Sequence, residues 1–158
     1  MMRRIARIIL ALGAAAGLLT ATAGIASAAP TKFSVAAVHA GGAGATAVSA
    51  TGNISWSASL RTVTLSNVKV FMKGGECTYV QFFGYQGTTP MDSTPLYPAE
   101  PYRCPSSDAV YNLGTISLTT DRPGGINHMI AEAHDVSHYL IGWTNCEVAD
   151  SVCYGGQY

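Results

Sequence analysis

The residues best equipped for chemistry sit in one short run, His134-Asp135-Val136-Ser137-His138. It has the histidine spacing of the H-E-x-x-H zinc-protease pattern, which works only on a helix, where i and i+4 histidines share a face and the glutamate acts as general base. Asp135 stands in the glutamate position, one methylene short of a zinc-bound water. Downstream of His138 only Glu147, Asp150 and cysteines remain as further ligands. The run therefore reads as a polar strand end and turn. On a strand, His128, Glu132 and His134 point the same way; at a rise of about 3.3 Å per residue, Glu132 and His134 lie roughly 7 Å apart and His128 about 13 Å from Glu132. Glu132, His134 and His138 are thus weak candidates for a surface metal site, no metal or other cofactor is expected, and their side chains are better read as solvated. The carboxylates Asp121, Glu132, Asp135 and Asp150 offer no distinctive glycosidase pair. The chain also lacks a G-x-S-x-G elbow and a glycine-rich phosphate loop. No catalytic residue is assigned.

Two other groups of side chains could bind rather than react. In residues 77–85, Tyr79, Phe83 and Tyr85 fall on the odd face of a strand while Val80 and Phe82 fall on the even face. An open aromatic face of that kind stacks on sugars, and apolar surface left exposed marks a binding site. Residues 86–109 carry five of the seven prolines and show no strand pattern. An irregular segment of that length is uncommon inside a compact domain. Pro95, Pro98 and Pro101 recur with the threefold period of polyproline II, which puts Leu96, Ala99 and Tyr102 on one edge and Tyr97, Glu100 and Arg103 on another. Leu96 and Tyr102 suffice to cover an open face of the core; the sharper expectation is that Tyr97, Glu100 and Arg103 are presented to a partner on a rigid loop, whose rigidity reduces the ordering cost of association.

The elements that must position these groups follow from the cysteines and the alternation of apolar residues. Cys77, Cys104, Cys146 and Cys153 allow three pairings, of which Cys77–Cys104 with Cys146–Cys153 joins each strand end to the nearest irregular segment. Residues 52–60 alternate cleanly, Ile54, Trp56, Ala58 and Leu60 against Asn53, Ser55, Ser57 and Ser59. The apolar phase moves to Val63 and Leu65 after a turn near residues 60–62, and again to Val68, Val70 and Met72, which calls for a bulge at Ser66-Asn67. Lys73-Gly74-Gly75-Glu76 reads as a hairpin turn. Residues 77–85 have bulk on both faces, as in a central strand, and residues 110–120 hold one or two further strands. Residues 128–141 could place Ile126, Met129, Ile130, Ala133, Val136 and Leu140 on one stripe of a helix. Their β-branched content and the preceding Pro123-Gly124-Gly125 turn favour a strand with Met129, Ala131 and Ala133 inward.

Residues 1–28 have the layout of an export signal: Arg3, Arg4 and Arg7, an apolar stretch over 8–25, and an Ala26-Ser27-Ala28 cleavage site. What remains has six basic residues against nine acidic ones, a net charge of −3. Six scattered cations cannot displace counterions from nucleic acid, nor do they favour an anionic membrane. Residues 32–40 read as a possible strand and 41–47 as a glycine-rich connector, making 29–50 a flexible N-terminal segment ahead of a compact domain over 51–158. The expected fold is all-β, a small antiparallel sandwich of immunoglobulin or jelly-roll type held by two disulfides. The expected role is that of a secreted, extracellular, non-catalytic interaction or structural protein whose partner, a protein or polysaccharide, meets the 86–109 loop. A carbohydrate-binding module is the alternative, with a small metal-dependent hydrolase third.

Overall fold

The computed structural model describes residues 29–38 and 45–158; the expected export signal and residues 39–44 lie outside them. Nine strands are present among the described residues: β1 (Lys32–Val38), β2 (Thr46–Trp56), β3 (Thr62–Met72), β4 (Thr78–Gln86), β5 (Thr89–Ser93), β6 (Ala109–Thr119), β7 (His128–Asp135), β8 (Leu140–Glu147) and β9 (Tyr154–Gln157). They form two antiparallel sheets packed face to face, the first ordered β1-β2-β3-β6 and the second β5-β4-β7-β8-β9. The fold is an all-β sandwich.

Alternation makes the sandwich. In β3, Val63 and Leu65 are fully buried, then Val68, Val70 and Met72. The phase changes because Ser66 and Lys69 pair with Asn53 and Thr51, so three steps on β3 face two on β2. The extra residue, Asn67, takes a left-handed conformation (φ 53°) that asparagine tolerates better than most residues. In the second sheet Val80 and Phe82 of β4 and Met129, Ala131 and Ala133 of β7 point inward with no exposed surface. Phe33 meets Phe82 edge-to-face at 5.6 Å across the layer. Residues 128–135 are strand, and a turn at 136–139 returns the chain into β8. Small residues let the layers close: a Cβ on Gly142 would stand 2.6 Å from the backbone oxygen of Ala36, so β1 crosses β8 at backbone contact.

Four sequence expectations change. The ordered sandwich starts upstream of residue 51, because β1 and the first residues of β2 belong to the first sheet; Phe33, Val35, Ala37, Val48 and Ala50 are core residues. The strand expected over 52–60 runs instead from Thr46 to Trp56, and the chain reverses through Leu60 (φ 58°). The turn at 73–76 is present, with Glu76 N–H donating to the Lys73 carbonyl at 3.1 Å, but β3 and β4 lie in different sheets, so it crosses the sandwich rather than closing a hairpin. The 86–109 segment is shorter as a loop than expected, since β5 occupies Thr89–Ser93 and pairs with β4.

Both disulfides join the pairs expected, Cys77–Cys104 and Cys146–Cys153. The first pins residues 94–108 at the head of β4, and the second ties β8 to the approach of β9. No described helix is long and apolar enough to cross a membrane.

Candidate functional site

The two outer faces of the sandwich differ in chemistry. On the first sheet the outward positions are mostly hydroxyls, such as Ser34, Thr51, Thr64 and Ser117. On the second, strand register assembles rings, imidazoles, carboxylates and amides in four rows. Tyr79 faces His134; Gln81 faces Glu132, which faces Trp143 and then Gly156; Phe83 faces Ile130, Asn145 and Tyr154; Tyr85 faces His128 and Glu147. Neighbours across a sheet stand about 5 Å apart, so each row is a contiguous strip, but Tyr79 is only 4 % exposed, with Arg103 over its ring, and is not the open aromatic position expected.

At one end the strip is tied together. Tyr79 and His134 stack at 5.0 Å with an 8° interplanar angle. His134 Nε2 lies 2.9 Å from Glu132 Oε2, its Nδ1 is 3.3 Å from the His138 carbonyl, and Tyr79 Oη is 2.7 Å from His138 Nδ1. The hydrogen bond to Glu132 holds the His134 imidazole above its ordinary pKa, against the opposing effect of burial. Burial raises the Tyr79 phenol, and the Arg103 guanidinium, 5.5 Å over its ring, acts the other way. Both nitrogens of His134 are engaged, Nε2 with the Glu132 carboxylate and Nδ1 with the His138 carbonyl. His138 (φ 66°) lies in the turn after β7, whose geometry Asp135 fixes by accepting from the N–H of Ser137 and Tyr139 at 2.8 and 3.0 Å. Glu132, His134 and His138 thus form a hydrogen-bonded network on a strand and turn, not the helical face that the zinc-protease pattern requires.

At the other end the rings are less enclosed. Tyr85 stacks on His128 at 5.1 Å, and burial keeps the His128 imidazole below its ordinary value. Phe83, Ile130 and Trp143 are half-buried, and Tyr154 is exposed. Trp143 and Tyr154 meet at right angles, 6.0 Å apart, with the indole packed beside Gly156, where a Cβ would come within 3.3 Å of Nε1. Asn145 lies opposite Tyr154 on the neighbouring strand. Its Nδ2 donates to Glu147 Oε1 and to Tyr154 Oη, while its Oδ1, buried in a residue only 8 % exposed, has no hydrogen-bond partner. A buried acceptor left without a donor costs about 1–3 kcal/mol.

The 94–108 segment forms a rim rather than a projecting arm. Tyr97 is bridged to Val80 through two backbone hydrogen bonds of 2.8 Å and packs against the core beside Phe82, so it is turned inward and not presented. The expected polyproline run is broken there by the β-bridge and again by a turn closed from Tyr102 N–H to the Ala99 carbonyl. Arg103 donates from Nε to the Pro98 carbonyl and pairs with Glu100 at 2.9 Å. Of the expected binding residues, Tyr79, Phe83, Tyr85 and Arg103 therefore meet on or beside the second sheet's outer face, Glu100 sits exposed at its rim, and Tyr97 lies beneath. Trp143, Asn145, Glu147 and Tyr154 are additional members that no sequence signal placed beside β4, because β8 and β9 join it only through β7.

Comparison with known protein families, with curated proteins and with solved structures found no match.

Proposed function

We propose that this is a secreted, non-catalytic binding protein whose outer aromatic face on the second sheet takes a neutral polysaccharide. One observation carries the reading: the rings of Trp143 and Tyr154 meet beside Asn145, and Phe83 lies in the same cross-strand row beyond Ile130. A sugar supplies apolar C–H faces for the rings and hydroxyl groups for the polar side chains between the rows. Glu132, Glu147 and Gln81 add further acceptors along the rows. The carboxylates disfavour an anionic chain at this face. The two disulfides and the export-type residues 1–28 support release into an oxidising space. A second reading, a protein partner at the rim, rests on the exposure of Tyr102 and Val110, about 60 % each.

The test is binding to a panel of neutral and acidic polysaccharides, followed by tryptophan fluorescence and by co-sedimentation with insoluble glycans. Phe83→Ala and Trp143→Ala should each weaken binding about tenfold, the equivalent of about 1.4 kcal/mol, while Tyr102→Ala leaves it unchanged. Undiminished binding by the Phe83→Ala and Trp143→Ala variants overturns the reading.

A further inference from the structure

A concavity lies on the first sheet, at the edge where Ser34 also lines a smaller recess with Trp143. It is a groove of about 720 Å³, within the size range of small-ligand sites, on the outer side of β1, β2 and β3. Strand register builds its floor. Ser34, Thr51 and Lys69 form one cross-strand row, and Lys32 stands opposite Asn53 in the next. The bulge at Asn67 brings that residue to the same rim. The opposite wall is the turn ahead of β9, held by the Cys146–Cys153 disulfide, with Cys153 Sγ 3.1 Å from the Lys32 carbonyl oxygen.

The charge of the groove runs against that of the protein. Beyond residue 28 acids outnumber bases nine to six, yet the lining contains two lysines and no carboxylate. Elsewhere Lys73 is paired with Asp108 and Arg103 with Glu100, whereas among the described residues neither Lys32 nor Lys69 has an ion-pair partner. Two strongly hydrated point charges beside hydroxyls and amides define a recognisable chemistry. The ammonium groups suit an oxyanion, and Ser34, Thr51, Asn53 and Asn67 can each donate to or accept from neighbouring hydroxyls. We infer that this groove is a binding site for an anionic polyol, a phosphate-bearing sugar or sugar alcohol, with Lys32 and Lys69 on the phosphate and the hydroxyl and amide side chains on the polyol. The site is on the other sheet and does not depend on the polysaccharide reading.

The experiment is an amide-shift titration of the isotopically labelled protein with glycerol 3-phosphate, inorganic phosphate and glycerol. Glycerol 3-phosphate should move the amides of residues 32–34, 51–53, 67–69 and 151–153 in a saturable way, and more tightly than either inorganic phosphate or glycerol. Lys32→Gln with Lys69→Gln should weaken it at least tenfold. Arg61→Gln with Arg122→Gln removes the same charge from exposed positions outside the groove and should leave affinity unchanged. An equal loss in the two double variants reduces the effect to net charge and overturns the site. Shifts confined to other residues, or no saturable shift, also overturn it. Equal affinity for inorganic phosphate overturns the polyol half of the assignment.

Discussion

Replacing Cys77 and Cys104 together by alanine tests how the rim segment is held. The bond closes a loop with a sequence separation of 27 residues. The chain-entropy model assigns such a loop about 3.5 kcal/mol, exerted on the unfolded chain. In the folded protein the segment is also held by backbone and side-chain hydrogen bonds. Thr78 N–H donates to the Arg103 carbonyl at 3.0 Å, Val80 and Tyr97 exchange two bonds, Gly75 N–H donates to the Pro105 carbonyl at 2.8 Å, and Thr94 bonds Phe82 through backbone and hydroxyl. The double variant should therefore melt about 10–15 °C lower, taking about 3–4 °C per kcal/mol for a domain of this size, yet fold to the same structure. Calorimetry gives the shift, and hydrogen exchange at Thr78, Val80 and Tyr97 reports whether the segment stays docked. A drop of under about 3 °C refutes the loop-entropy argument. Loss of protection at those amides below the transition refutes the claim that β4 holds the segment without its covalent tie.

Other expectations follow from single positions. Gly142→Ala drives a methyl against the Ala36 carbonyl at 2.6 Å and should cost about 2–3 kcal/mol, whereas Gly84→Ala meets side-chain atoms of the buried Ile126, Cδ1 at 2.8 Å and Cγ2 at 3.2 Å, and should cost less, about 1–2 kcal/mol; denaturant melts rank the pair. Asn67→Ala should cost about 1 kcal/mol, with Asn67→Gly close to neutral, because only the bulge conformation penalises the alanine. His134 titrates above its ordinary value of 6.5, so its bond to Glu132 adds stability fully present below pH 6.5 and lost as pH rises through the raised value. Glu132→Gln should flatten that decline in melting temperature and return the His134 imidazole towards its ordinary range by NMR. His128, lowered by burial, acts in a separate, lower window in both proteins. An unchanged pH slope in the Glu132 variant would show that the bond is not what sets it.

Local pattern carried much of the sandwich and little of the assembled face. The phase shift between Leu65 and Val68 located the bulge, since only an extra residue lets both sets of side chains reach one core. Cysteine positions relative to strand ends located both bridges. Alternation failed where buried residues are small: Ala37 packs against Gly142 of β8, Ala47 and Ala50 are buried on β2, and all three lie in a stretch that looks, in sequence, like part of a linker. Thr89–Ser93 failed for the opposite reason, as a short edge strand whose Pro90 and polar neighbours give no apolar period. Odd-numbered β4 residues were legible as one face, but their companions on β8 and β9 were not, because Trp143 reaches that face through β7 and Tyr154 through β8, pairings remote in sequence from β4.

The backbone contact between Ala36 on β1 and Gly142 on β8 has a consequence for synthesis. An early strand finds its counterpart across the layer only after β2 to β7 have been made, so this contact carries a large loop-closure cost. Closure of the two layers at this seam therefore falls among the late steps of folding, after the hairpins local to each sheet.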